Sequence, residues 1–291
     1  MKQFSNYIHT RDNEQIYFAT NFEHDQTEHT DVIVFNYGLV CSNFHWSKQL
    51  DYFDQLGYKI LIHDYRGHYK STGIDHLENI TFENIAKDLK ELFDSLNITS
   101  SYLVGHSMGV NTSLEFTKRY PELVKKMILI SGTIIPVHNI MFNTNLTDQV
   151  SPKLTGLLKM FPKQFNAFWK SGGWNPLIRK MVHSGGFNLK TVSPEFIEIY
   201  LNKLGQLGPE LFFQLIEQMN QHDILSFVNK IKCPTLIIGG DNDKVIPNYL
   251  QKLTLKELSN SELYVVRNGS HVPQVDFPDM VNERMTFFLE H

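Results

Sequence analysis

The stretch LVGHSMGV, Leu103 to Val110, sets Ser107 between Gly105 and Gly109. Alone the spacing is weak: with Gly and Ser each near 7% of residues, chance supplies such a pentapeptide in roughly one chain in ten of this length. Its surroundings decide its meaning. SYLVGHS (101–107) is a short, nearly continuous apolar run of the kind shown by a strand covered on both faces, and NTSLEFTKRYPELV carries a helical pattern just behind it. A strand that turns into a helix within one residue forces strained backbone angles on that residue. It also needs small residues two positions to either side, which Gly105 and Gly109 supply. The context predicts Ser107 as an exposed nucleophile; a structural loop serine is the plainer alternative.

Further runs of the same kind flank it. DVIVFNYG (31–38), YKILIHD (58–64) and KKMILISG (125–132) read as buried strands, as do CPTLIIGG (233–240) and SELYVVRN (261–268). Helical patterns separate them. The clearest is TFENIAKDLKELFDSLN, where Ile85, Leu89, Leu92, Phe93 and Leu96 recur at helical spacing and Thr81 with Asn84 offers capping chemistry. PNYLQKLTLKEL and FPDMVNERMTFFLE follow the two late strands, and FSNYIHTRDNEQIYFATN reads as a hairpin around Arg11–Glu14. Strands alternating with helices predict an α/β fold: a mostly parallel, doubly wound sheet of eight strands. The alternation stops between about Ile134 and His222, where the stretches are amphipathic and helical. The expected organisation is therefore a discontinuous core, 1–133 and 223–291, interrupted by a helical cap at 134–222.

A serine nucleophile needs a base, and the base needs an orienting acid. With 13 histidines in the chain, position has to choose among them. His271 lies in RNGSHVPQVDFP, the loop leaving the last strand, at the same carboxyl edge of the sheet as Ser107, where open α/β sheets bind ligands. His106 is next to the serine but is expected to point away from it; His63 ends a strand, and His68 sits in a loop of its own. The loop GGDNDKVIP after the preceding strand offers Asp241 and Asp243, and Asp243 is taken as the acid. For an oxyanion, the expected donors are the backbone N–H of Met108, at a helix N-terminus, and that of Leu39 in the glycine turn NYGLV.

The residues excludes several classes of function. A formal net charge of -4 gives no general electrostatic claim on nucleic acid. MKQFSNYIHTRDN lacks the apolar core of a signal peptide, and no run approaches membrane-spanning length, so a cytoplasmic setting is expected. Cys41 and Cys233 stand far apart with no metal-like spacing and read as two reduced thiols. The proposed chemistry needs neither metal nor organic cofactor.

Taken together, GHSMG, GGDNDKVIP and GSHVPQVDFPD resemble the α/β-hydrolase superfamily, in its lidded serine esterase, lactonase and thioesterase branch. The resemblance covers nearly the whole chain outside the insertion. HDYRGHYKSTG (63–73) is similar to a family segment that holds loops together, with Asp64, Arg66, Gly67 and Ser71 in place. The family places its carboxylate four residues before a proline, which Asp243 and Pro247 match and Asp241 does not. The resemblance implies a hydrolase acting on a carboxylic ester, thioester or lactone. Acyl transfer, carbon–carbon bond hydrolysis and cofactor-free perhydrolysis use the same triad, and a noncatalytic receptor is a further alternative. Ser107 argues against the dehalogenases and epoxide hydrolases of this fold, which carry aspartate at that position. Two departures stand out. Asn36-Tyr37-Gly38 replaces the usual His-Gly and leaves the second oxyanion donor open between Leu39 and Val40. Tyr69 replaces a common glycine, and is read as a surface change in preference to bulk near the pocket.

The insertion is rich in aromatics and methionines, among them Met141, Phe142, Trp169, Trp174, Met181, Phe187, Phe196 and Tyr200. Most are expected to pack the cap onto the core, and an apolar inner face favours a largely apolar small substrate. The segment carries eight Lys/Arg against five Asp/Glu. That bias reads first as solvated surface; the alternative is attraction of an anionic substrate, such as an acyl chain bound to an acidic carrier protein.

Overall fold

A computed structural model describes residues 3–24, 27–137, 153–154, 156–171, 186–188 and 190–291. Its sheet has eight strands: β1 (Phe4–His9), β2 (Gln15–Thr20), β3 (Val32–Asn36), β4 (Ile60–His63), β5 (Ser101–His106), β6 (Val124–Ile130), β7 (Thr235–Gly240) and β8 (Ser261–Val266). The spatial order is β1-β2-β4-β3-β5-β6-β7-β8. The N-terminal hairpin adds antiparallel β1 and β2 at one edge, and β4, β3 and β5 to β8 run parallel. The apolar runs thus fall on strands as their patterning predicts, and the sheet is the doubly wound α/β architecture expected.

Strand period two distributes the core. Ile33 and Phe35 of β3 join one apolar cluster, and Val32 and Val34 join the other. Helices α1 (Ser47–Gln55), α7 (Asn248–Glu257) and α9 (Pro278–Glu290) cover the first face through Leu50, Phe53, Leu250, Val281 and Met285. Helices α2 (Phe82–Ser95) and α3 (Met108–Arg119) cover the second through Leu89, Leu92, Phe93, Val110, Leu114 and Phe116. The Thr81 side chain accepts the Asn84 amide proton at the start of α2, at 3.1 Å. Short α8 (Pro273–Asp276) precedes α9.

Between β6 and β7 the described residues form no strand. They include α4 (Pro162–Lys170), α5 (Pro194–Leu207) and α6 (Pro209–Gln221). The single amphipathic stretch 193–220 is divided because Gly208 takes φ 78°, a left-handed conformation that ends α5, and Pro209 then starts α6. Leu207, Leu211, Leu215 and Met219 pack into the first core cluster, and so anchor α5 and α6 to the sheet domain. Met141, Phe142, Trp174 and Met181 lie outside the described residues. No helix among the described residues is long and apolar enough to cross a membrane.

Candidate active site

Ser107 follows β5 at the centre of the sheet, with φ 52° and ψ -119°. That conformation is strained for a residue with a side chain, and it is held by the Ser107 amide donating to Ile130 O (2.9 Å) and by α3 starting at the next residue. The flanking glycines are needed sterically. A Cβ on Gly105 would strike the Gly109 carbonyl, and one on Gly109 would strike the Asn36 carbonyl. Beneath the turn runs a buried chain of hydrogen bonds. His63 Nε2–H donates to Asn36 Oδ1 (3.0 Å), Asn36 Nδ2 to Ser113 Oγ (3.0 Å), and Ser113 Oγ–H to Gly109 O (2.8 Å). Asn36, met in the sequence only as a departure from His-Gly, therefore ties β3 to α3 under the serine.

The loops after β7 and β8 bring the other two expected residues to the same edge. They approach so closely that a Cβ on Gly240 would collide with the backbone of Gly269 and Ser270. Asp243 is buried. Its Oδ1 accepts the amide protons of Val245 (2.8 Å) and Ile246 (2.9 Å), and its Oδ2 accepts Nδ1–H of His271 at 2.9 Å. With the proton on Nδ1, His271 Nε2 is an acceptor, and it faces Ser107 Oγ at 3.1 Å. Asp241 is exposed to solvent. Asp276, which the sequence reading passed over, holds the His271 loop: it accepts the Ser270 amide proton at 2.6 Å and the Thr191 hydroxyl proton at 3.0 Å. From the segment between β6 and β7, Gly186 O accepts the His271 amide proton at 3.1 Å.

The other histidines considered have different tasks. His68 Nδ1–H donates to Arg66 O at 3.0 Å. His106 does not contact the serine hydroxyl; it is buried and its Nε2–H donates to the backbone carbonyl of His271. Burial, and after it the neighbouring His271, holds the His106 ring well below the usual imidazole range, so it is neutral. His45 is likewise held down by burial, to about 3, and packs edge-on against Phe196.

The glycine turn approaches Ser107 from β3. A Cβ on Gly38 would come within 2.9 Å of Ser107 Cβ, so only glycine lets the turn lie this close. Cys41 N–H donates to Gly38 O (3.0 Å), and Val40 sits at φ 66° within that turn. The extra residue, Tyr37, is fully buried, and its carbonyl accepts the Tyr65 hydroxyl proton at 2.9 Å. The amides of Leu39, Val40 and Met108 donate to no partner among the described residues.

Tyr69 corrects the surface reading. It is half-buried at φ 44°, and its hydroxyl donates to Cys41 O at 2.6 Å, with Lys203 of α5 lying 4.2 Å from its ring centre. The side chain turns inward because that hydroxyl finds a backbone carbonyl of the glycine turn. Asp64, Arg66 and Ser71 act as the loop ties expected of them: Arg66 donates to Asp88 Oδ2 (2.7 Å) and Asp12 Oδ2 (2.8 Å), and Ser71 Oγ–H to Asp64 O (2.7 Å). Burial raises the Asp64 carboxyl to about 6.

Among curated proteins, the chain is 27% identical over 248 residues to a 2-hydroxy-6-oxononadienedioate/2-hydroxy-6-oxononatrienedioate hydrolase of Klebsiella pneumoniae, covering 84% of this chain and 81% of that one. It is 26% identical over 279 residues to a bifunctional esterase/perhydrolase of Acinetobacter calcoaceticus, covering 94% and 92%. Among solved structures, an enol-lactonase from Burkholderia xenovorans shares the fold with a TM-score of 0.76 at 16% identity, over 98% of this chain and 100% of that one. Residues 31–278 match the alpha/beta hydrolase fold family, a span that takes in β3 to β8 and both loops facing Ser107, and the chain belongs to that family.

Proposed function

We propose that the protein is a serine hydrolase that cleaves a carboxylic ester, thioester or lactone of a largely apolar small molecule through an acyl-enzyme. The observation that carries this reading is the hydrogen-bonded line from Ser107 Oγ through His271 to Asp243, at 3.1 and 2.9 Å. In this mechanism His271 Nε2 removes the hydroxyl proton as Ser107 Oγ attacks the carbonyl carbon. Asp243 fixes the Nδ1–H tautomer and stabilises the imidazolium. The tetrahedral oxyanion is received by the Met108 amide and by Leu39, with Val40 next in the turn as the alternative donor; each such contact is worth about 3 kcal/mol of barrier. The imidazolium then protonates the leaving group, and water repeats the cycle on the acyl-enzyme.

Residues 134–222 serve as the cap in this reading. Gly186 borders His271, and the next residue, Phe187, lies beside Phe196 and Tyr200 of α5. These aromatic side chains support an apolar acyl pocket.

A second reading, hydrolysis of a carbon–carbon bond with the same three residues, is favoured by the similarity to the Klebsiella hydrolase. One set of assays separates them. An alkyl fluorophosphonate should label one serine per chain, and Ser107→Ala should abolish the labelling. A chain-length panel of esters, thioesters and lactones should then peak at a medium acyl chain. A panel that stays silent while a cleavable diketone turns over would replace the ester reading by the second. Absence of both labelling and turnover would leave a receptor.

A further inference from the structure

The outer surface of the cap carries an apolar cluster that no packing among the described residues accounts for. Leu157, Met160 and Phe161 are 47%, 70% and 49% exposed, and Phe168 on α4 is 47% exposed. The helix is oriented by its opposite side. Trp169 Nε1–H donates to Leu204 O at 2.9 Å and its ring packs on Phe212 and Phe213, while Asn166 donates to Glu210 at 2.7 Å. Leu158 is buried. The inward side chains are thus already used, and the exposed ones point elsewhere.

The charge within this segment of the chain has one sign. Lys159, Lys163 and Lys170 are exposed beside it. Residues 149–194 contain seven Lys/Arg and no Asp or Glu, in a chain whose net charge is -4. Large apolar side chains projecting outward among lysines are what an interfacial helix presents to an anionic lipid surface: the aromatic and aliphatic groups enter the acyl boundary and the ammonium groups meet the headgroups. The surface favours a lipid over an acidic protein for a geometric reason. The apolar groups stand out from a helix and its entry turn, and a protein partner would have to offer a fitted recess for them. A bilayer surface accepts such groups without a matching shape.

We propose that the segment from Leu157 to Lys170 docks the protein on anionic lipid surfaces. Helix α4 rests on α5 and α6, and α5 reaches the glycine turn beside Ser107 through Lys203 and Tyr69. Docking would therefore hold the cap, and the site beneath it, against a layer that contains amphiphilic molecules. The proposal concerns the cap surface and stands whether or not Ser107 attacks esters.

The test is sedimentation of the full chain with unilamellar vesicles. With phosphatidylglycerol mixed into phosphatidylcholine, the protein should co-sediment at low salt and be released as salt rises; with phosphatidylcholine alone it should stay in solution. Replacing Lys159, Lys163 and Lys170 by Gln together should lower the partition coefficient about a hundredfold, roughly fivefold per charge. A Met160→Ser/Phe161→Ser variant should lower it at least about tenfold. Both variants should keep the wild-type melting temperature, and their turnover of a soluble substrate should be unchanged. No sedimentation with anionic vesicles overturns the proposal, as does sedimentation that neither variant alters. Loss of self-association, or of binding to an acidic acyl carrier protein, in the serine variant with vesicle binding intact would place a protein on this face instead.

Discussion

His106 Nε2–H donates to the backbone carbonyl of His271 across 2.9 Å, so the residue before the candidate nucleophile holds the loop of the candidate base. A carbonyl can only accept, which fixes the His106 proton on Nε2. The ring is neutral and fully enclosed, with Trp46 edge-on to it. His106 is a positioning residue in this arrangement: it sets where the imidazole of His271 sits relative to Ser107. His106→Phe should lower kcat about 10- to 100-fold, the cost of a displacement near 1 Å, with KM changed less than about twofold. His106→Gln can place a donor in the same position and should recover most of the rate. Equal losses in both variants, with melting temperatures equal to wild type, would show that the donor is irrelevant.

Asp243 divides its oxygens, one accepting from the Val245 and Ile246 amides and the other from His271. In Asp243→Asn, the amide oxygen is retained by the two backbone donors and the NH₂ group faces the imidazole. His271 must then carry its proton on Nε2, toward Ser107, where it cannot act as a base. The expected result is a fall in kcat of about 10³- to 10⁴-fold and a proportional slowing of phosphonate labelling, with little change in thermal stability. A variant that retains more than a tenth of wild-type turnover would remove Asp243 from the mechanism.

The fold and the three facing side chains were readable because each announces itself locally. Ser107, Asp243 and His271 stand in short motifs at the ends of apolar runs, and parallel-sheet topology brings those ends to one edge. Thr81 was readable as a cap because its partner lies three residues away. The supporting contacts were not readable, because they join residues distant in sequence. Tyr69 meets Cys41 O 28 positions away, and His106 meets His271 O 165 positions away. No periodicity encodes such pairs. The same limit applies to Asn36, whose identity gains meaning only once β4 and α3 are packed against it, and to Gly208, whose left-handed φ divides an otherwise unbroken amphipathic pattern.

Glu115 on α3 supplies a stability that depends on pH. Burial alone would raise its carboxyl, but hydrogen bonds from His222 (2.9 Å) and Arg119 (2.7 Å), together with nearby Lys118, outweigh burial and bring it to about 2. A depressed carboxylate contributes stability that is present above its unfolded range and lost as pH falls through the folded value. The window here runs from about pH 4.5 down to 2, and the contribution is on the order of 2 kcal/mol. Melting curves across this range should show a clear acid limb for the wild type and a flatter one for Glu115→Gln. Parallel profiles would mean that Glu115 is not held as the geometry indicates.

Tyr69 fastens the turn that carries the Leu39 and Val40 amides. Its hydroxyl donates to Cys41 O, the last carbonyl of that turn, while Val40 is held at φ 66°, unfavourable for a β-branched residue by about 1–3 kcal/mol. A turn under such strain needs an external tie, and removing one lets the amides drift from the position an oxyanion would occupy. Tyr69→Phe keeps the ring against Lys203 and deletes only the hydrogen bond. If the turn supplies an oxyanion donor, kcat should fall about tenfold, with KM and the fluorescence-monitored melting temperature nearly unchanged. If instead the hydroxyl only fills space, Tyr69→Phe will be kinetically silent, and the second donor must be sought away from this turn.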